Sequence, residues 1–480
     1  MRKTRSLLKK SMVFLCFSVL LMEMTVLKVS ANSAQYYWSG TTASGAIVTD
    51  DTCPVIVEKE KLTFVLEEFP KYYSQLEEYL DYSGNVTAEY TFCNPADYKV
   101  STTLVFPFGT IPDYGVHYDR KTGEMAVNED TEKYKITVDG AEVEKTLRHT
   151  LSLPGAQFEL EKDMALLQDT YLEDSFYSPD LPVTRYTYLA QNVDTETYDA
   201  ATAAFVVSAD PEKTKVLMED QNGGKKLEDG VRLESWVHEE TFTVNVIGEP
   251  FSQMPEWKFY EDGACEKEIG GAMTLVSTEA VTLKEFTLSQ YDETSGILEH
   301  DWYNAVVESM KELEWSSGAI FGGDFQFDVS DRLMRWYEYQ ITLEPGEKAV
   351  NTVTAPIYPS FRTDYEPPIY QYTYLLTPAQ SWASFGTLDI SIQTPYYMTE
   401  DGLGTFEPTS SGYECHLSSL PEEELTFTLS TNTEPSAPAH FNTFPMGTVF
   451  VTVLILLTVL ILVITAARAK RKKNKERNPL

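Results

Sequence analysis

Apolar and polar residues alternate with a period of two along most of this chain. Val86, Ala88, Tyr90 and Phe92 alternate with Thr87, Glu89, Thr91 and Cys93. After Asn94-Pro95-Ala96-Asp97 the alternation resumes through Val100, Thr102, Leu104 and Phe106. Successive side chains of a strand point to opposite faces, so the pattern predicts a hairpin with one buried face. The plan recurs downstream: Tyr337, Tyr339, Ile341 and Leu343 alternate, Glu344-Pro345-Gly346-Glu347 turns the chain, and a strand is predicted from Ala349 to Ala355. Pro followed by Gly suits the central positions of a type II turn. Both predicted hairpins end near an aromatic–proline pair, Phe106-Pro107 and Tyr358-Pro359.

Further strands are predicted at 55–66, 133–138, 183–190, 201–208, 231–237, 241–247, 272–276, 281–288, 370–376, 386–393 and 424–430, where Tyr, Phe, Val, Ile and Thr crowd. Two segments turn toward helix. Leu298, Trp302, Val306, Met310 and Leu313 recur at three and four, giving a helix over 297–314 with one apolar stripe. Glu161 to Tyr171 is a weaker case, and Lys71 to Leu80 a short exposed one. The fold class expected is mainly β: two β-sandwich-like ectodomains with a few packed helices, plus one C-terminal transmembrane helix. Gly248-Glu249-Pro250 marks the break between a domain at 32–249 and a second at 250–430. Asp119 to Thr131 and Asp210 to Gly230 read as polar connections or long hairpin ends. Residues 431–445, rich in Thr, Pro, Ser and Ala, read as a stalk.

The two ends set the topology. Met446 to Ala467 are 22 residues without a charge, followed at once by seven Lys and Arg within 468–480. As a helix this run covers about 33 Å, enough for a hydrocarbon core of about 30 Å. A basic cluster on one flank places that flank in the cytoplasm. At the other end Arg2, Lys3, Arg5, Lys9 and Lys10 precede the apolar stretch Met12 to Met22, and Val29-Ser30-Ala31 offers a cleavage site. Residues 1–31 therefore read as a signal peptide. Cys16 lacks the small residues that precede a lipid-modified cysteine, and Phe444-Pro445-Met446-Gly447-Thr448 is not an LPxTG sorting signal. The expected localisation is the cell membrane, single-pass, with the body outside.

Charge and cysteines narrow the function. Of the chain's net −35, residues 1–31 carry +5 and 468–480 carry +6, which leaves −46 on 32–467. Such a body repels nucleic acid and anionic lipid. Cys53, Cys93, Cys265 and Cys415 lie outside the ends. In an oxidising compartment Cys53–Cys93 and Cys265–Cys415 are the pairing expected, and no CxxC spacing suggests zinc or redox work.

The run Val86-Thr87-Ala88-Glu89-Tyr90-Thr91-Phe92, the closing Phe106-Pro107, and Gln380-Ser381-Trp382-Ala383-Ser384-Phe385-Gly386 resemble uncharacterised Gram-positive membrane-anchored extracytoplasmic proteins. The resemblance spans about a quarter of the chain and rests on packing motifs. It implies a β-rich fold in which early and late strands meet in one sheet around an inserted middle, and it implies no activity.

No catalytic, cofactor-binding or metal-ligating residue is assigned. GxSxG, HExxH, a Walker loop and GxGxxG are absent, and His238-Glu239-Glu240 does not supply the zinc spacing. His117, His149, His238, His300, His416 and His440 are scattered, and each reads as a surface or capping residue. Asp324, Asp328 and Asp331 are not spaced as an EF-hand loop. Tyr36-Tyr37-Trp38 could stack on a sugar, although such aromatics are more often cross-strand core pairs. Asn85-Val86-Thr87 is a sequon inside a strand. These observations favour an outward-facing binding or interaction protein that takes a surface protein or glycan and no nucleic acid. An envelope hydrolase acting on polysaccharide or peptidoglycan comes second, with its two carboxylates not identifiable from spacing. An auxiliary subunit of a membrane complex comes third, since Gly447, Thr448, Thr452 and Thr458 give the span only a thin polar stripe.

Overall fold

A computed structural model describes residues 37–436, apart from 39, 45, 51, 72–80, 111, 113, 115, 119–124, 128–132, 153–158, 239–240, 323–328 and 331. The expected signal peptide, most of the stalk, the membrane span, the basic tail and the 71–80 helix lie outside the described residues. Among the described residues, no helix is long and apolar enough to cross a membrane.

The chain is mainly β and, among the described residues, is organised around three large cores, the third of them packed around residues 299–312. The first lies between an eight-stranded sheet and two smaller sheets. After two short strands at one edge, the eight-stranded sheet runs Lys348–Pro356, Asn85–Cys93, Ile56–Val65, Phe385–Gln393, Gly412–Leu417 and, at the other edge, Glu407–Thr409. Its inward side chains meet Ile369–Leu375 and Leu425–Ser430 across the core, where Phe64 packs edge-on against Tyr374 and Phe427 at 5.9 and 5.3 Å. Trp382 lies against Phe92 and donates from Nε1 to the Ala46 carbonyl at 3.0 Å. A Cβ on Gly386 would sit 2.0 Å from the Glu58 carbonyl oxygen, so only glycine lets these two strands pair so closely.

Early and late strands therefore share sheets: Asn85–Cys93 pairs with Lys348–Pro356, and Ile56–Val65 runs parallel to Phe385–Gln393. The residues between form the second core. Here the sheet containing Ala272–Thr282, Pro182–Gln191, Thr241–Gly248 and Thr214–Met218 faces the sheet containing Val231–Trp236 and Thr202–Val207. The break expected at Gly248-Glu249-Pro250 is corrected by this pairing. Strand Pro182–Gln191 bonds to Thr241–Gly248 on one side and to Ala272–Thr282 on the other, so one sheet spans the expected boundary.

Both expected hairpins are also corrected. Asn85–Cys93 and Lys348–Pro356 pair in the eight-stranded sheet, whereas Val100–Gly109 and Leu333–Leu343 pair in a four-stranded sheet. Each chain turns from one sheet into the other at the same corner. Asn94, fully buried, holds the two corners together. Its Nδ2 donates to the carbonyls of Tyr98, Leu343 and Glu344 at 2.9–3.1 Å. Its backbone N–H donates to Glu347, and its carbonyl accepts from Gly346.

The helix expected at 297–314 is Glu299–Glu312, with Trp302, Val306 and Met310 buried. It docks on strand Lys145–Leu151 through an ion cluster in which Arg148 and Asp301 are buried while Asp169 and Glu338 reach solvent. Arg148 Nε and Nη2 both reach the Asp301 carboxylate at 3.1 Å, while Nη1 takes Glu338 at 2.7 Å. The weaker helix is confined to Leu160–Ala165. The strand expected at 281–288 is instead the short helix Leu283–Thr287, because Thr282 and Glu285 form a capping box. Strand Ala272–Thr282 runs unbroken through the expected gap before it. The expected disulfides are not formed: Cys53, Cys93, Cys265 and Cys415 are free thiols. Cys265 belongs to the second core module and Cys415 to the eight-stranded sheet, which separates the expected partners. The stalk's first residues are tied back, with Ser436 and Glu366 exchanging backbone hydrogen bonds at 2.9 and 3.2 Å.

Candidate functional site

The outer face of the eight-stranded sheet carries a polar groove of about 570 Å³. Strand alternation builds its floor. In Ile56–Val65, Phe385–Gln393 and Gly412–Leu417 the inward positions are apolar apart from Glu60, which turns Lys61, Asp389, Ser391 and His416 outward. Cross-strand register then does the rest. Asp389 lies opposite His416 on one side and opposite Lys61 on the other. Gly412 permits the last strand to close in, since a Cβ there would lie 1.9 Å from the Ile392 carbonyl oxygen at φ +144°.

One wall is the loop that leads into Glu407–Thr409, and a single carboxylate shapes it. Asp401 accepts from the backbone N–H groups of Leu403, Gly404 and Phe406 at 2.8–3.0 Å. This fixes Thr405 and Glu407 along the groove. Thr405 Oγ1 in turn contacts the Cys415 thiol at 3.0 Å.

The groove's electrostatic centre is Asp389. It takes Lys59 Nζ at 2.5 Å and His416 Nδ1. Hydrogen bonds from Lys59 and then His416 hold its carboxyl below the usual carboxylate range, so it is an anion at neutral pH. Cys415 and His416 are neighbours in sequence but turn to opposite faces of their strand, one buried and the other exposed. Thiol and imidazole are thus not arranged as nucleophile and base. The groove offers hydroxyls, carboxylates, an ammonium and an imidazole for hydrogen bonding, with donors and acceptors interspersed.

A second polar cluster is sealed inside the first core. Glu60 is 1% exposed, and its Oε1 has no hydrogen-bond partner. Burial pushes its carboxyl up to about 7, against hydrogen bonds from Tyr90 and Tyr374 that lower it. Tyr90 Oη accepts from the Ala46 N–H at 3.1 Å and lies 3.4 Å from Tyr374 Oη. Tyr82 and Tyr372 pair their hydroxyls at 2.9 Å, and Tyr339 donates to Asn351 at 2.9 Å.

Of the histidines whose side chains are described, only His416 enters the groove; His300 sits beside Arg148, and His149 is buried next to it. His238 lies near Trp236 at the second module's surface. His440, Asp324, Asp328, Asp331 and Tyr36 lie outside the described residues, and the side chains of His117, Tyr37 and Trp38 are likewise not described. Among the described residues, no three His, Cys, Asp or Glu side chains are grouped to hold a metal ion. Lys59, Asp389 and Ser391 were not identifiable as site residues, because Lys59 lies more than three hundred positions from Asp389 and the strands that meet here share no motif.

No family model matches the sequence, and no curated protein matches it. One solved structure that matches is a crystal structure from Legionella pneumophila described as a "putative nutrient binding protein". It aligns over 82% of this chain and 72% of its own length, at 8% identity and a TM-score of 0.32. A likeness at that level specifies neither the fold nor a ligand.

Proposed function

We propose that the protein is a single-pass membrane-tethered binding protein whose acidic body of two β-sandwiches faces outward and takes a hydroxyl-rich ligand, a surface glycan, in the groove around Asp389. The observation that carries the tethering is the uncharged run of 22 residues from Met446 to Ala467 with its basic flank. The groove supports the binding half. Interspersed hydroxyl, carboxylate and ammonium groups on a rigid sheet suit a ligand that both donates and accepts hydrogen bonds. Hydrolysis takes a pair of carboxyl groups, one ionised and one kept as an acid. Asp389, held as an anion by Lys59 and His416, meets only the first requirement.

The test is retention of the full-length protein in detergent micelles on immobilised amylose, xylan and peptidoglycan fragments. The wild type is expected to be retained on at least one, and Ser391→Arg, which fills the groove from an outward position, to lose at least about tenfold in affinity. Equal retention of both proteins, or none of either, contradicts binding in the groove. Release of new reducing ends would favour the hydrolase.

A further inference from the structure

Exposed sheet edges are rows of unpaired backbone donors and acceptors, and folded proteins keep them short or covered. This chain obeys that rule almost everywhere. Among the described residues, every other sheet edge is a strand of five residues or fewer, except Lys145–Leu151, which lies under the Glu299–Glu312 helix. The exception is Ala272–Thr282, an edge of eleven residues.

That strand is unusual in a second way. Thr274 to Ala280 are seven consecutive exposed residues, so neither of its faces is covered by the body. Leu275 and Val276 are 39% and 52% exposed, and Met254 beside Tyr188 adds a further 52%-exposed apolar side chain next to Leu275's register partner. The strand is held by its ladder to Pro182–Gln191, by side-chain contacts of Thr274 with Gln191 and Glu279 with Arg185 on that same strand, and by packing of Met273 and Val281 at its ends. Outside the ladder Met273–Val281 make no backbone hydrogen bond among the described residues. Yet its residues are strongly strand-forming, with Thr274, Val276, Thr278, Val281 and Thr282 β-branched. An eleven-residue strand with open faces and an open edge buries little, so its own core does not account for its length.

We propose that Ala272–Thr282 is a docking edge for an extended, basic segment of another polypeptide, which adds to the sheet as a further strand. The row of main-chain groups selects an extended backbone. Charge selects its sign: the edge's one ionisable residue, Glu279, pairs with Arg185 at 3.7 Å, so the sign comes from the chain's net −35. A second copy would bring an equally acidic body alongside, so a cationic strand is favoured over self-pairing. The single bulge, where Val276 is extra between the pairs Leu275–Tyr188 and Ser277–Thr187, divides the edge into two regular stretches on which an incoming strand can register. This inference goes beyond the glycan groove and does not depend on it.

The test uses the full-length protein in detergent micelles and a fluorescein-labelled eleven-residue peptide of alternating threonine and valine with lysine at each end. Anisotropy is expected to show saturable binding that weakens with salt. The same peptide N-methylated along one edge keeps its side chains but loses main-chain donors, and should bind about tenfold more weakly. Val276→Lys, at an exposed position, should weaken binding of the unmodified peptide by a similar factor. Absence of binding, equal binding of the N-methylated peptide, or an unaffected Val276→Lys protein would each overturn the proposal. Disulfide-linked dimers of Ser277→Cys formed without peptide would overturn it in favour of a second copy. None of these outcomes bears on glycan retention, so the two readings fail separately.

Discussion

Glu60 is the residue whose placement has the plainest thermodynamic consequence. Its carboxyl titrates near 7 in the folded protein, above the ordinary 4.5, because burial penalises the ionised form. Between those values the unfolded chain gives up a proton that the folded chain keeps. The stabilisation is therefore fully present below about 4.5 and is lost as pH rises toward 7, at about 1.4 kcal/mol per unit, or roughly 3 kcal/mol in all. Glu60→Gln keeps the shape and cannot ionise. Thermal unfolding of wild type and variant across this range should show the wild type losing ground to the variant as pH rises. Parallel curves would contradict the assignment. This residue was legible only in part: alternation through Leu62 and Phe64 places Glu60 on the inward face of the strand expected at 55–66, but nothing in Glu58-Lys59-Glu60-Lys61 singles out one carboxylate as buried. The groove was hidden for another reason. Lys59, Asp389 and His416 come from three strands, and only the register between them brings their side chains together.

At the scale of elements, alternation located the strands and misjudged how they join. Both expected hairpins are corners at which a strand pair passes from one sheet to the next. In a hairpin or in such a corner the same apolar positions face the same core, so the hydrophobic pattern is identical and only backbone bonding distinguishes them. The clue was Asn94, an amide at full burial that caps three carbonyls from both corners. Asn94→Ala leaves those acceptors unpaired and is expected to cost about 2–3 kcal/mol. Chemical denaturation of the full-length protein checks this, and a loss below about 0.5 kcal/mol, the level of an ordinary surface change, would contradict the clamp. The helix Leu283–Thr287 was legible in retrospect. Thr282-Leu283-Lys284-Glu285 is a capping-box sequence, and it outweighs the β-branched residues on either side. The apolar stripe of Glu299–Glu312 was strong enough to be read directly, because three-and-four spacing has no strand equivalent.

For the whole molecule, mainly β architecture followed from the alternation, whereas the insertion of one module within the other was an expectation of the family resemblance and not of the periodicity. Periodicity carries no information on which distant strands pair, and Ile56–Val65 joining Phe385–Gln393 in parallel is a contact across more than three hundred residues. A local signal such as Gly248-Glu249-Pro250 therefore suggested a boundary where the sheet is continuous. The functional account depends on a claim at this scale: an acidic body outside the membrane and a basic tail inside. Impermeant maleimide labelling of intact cells tests it most directly, using full-length proteins that carry Glu293→Cys or Asn474→Cys singly, each compared with the unsubstituted chain. The account predicts labelling above that background at position 293 in intact cells, and at position 474 only after the membrane is permeabilised. Labelling at 474 in intact cells, or protection of 293, would contradict it.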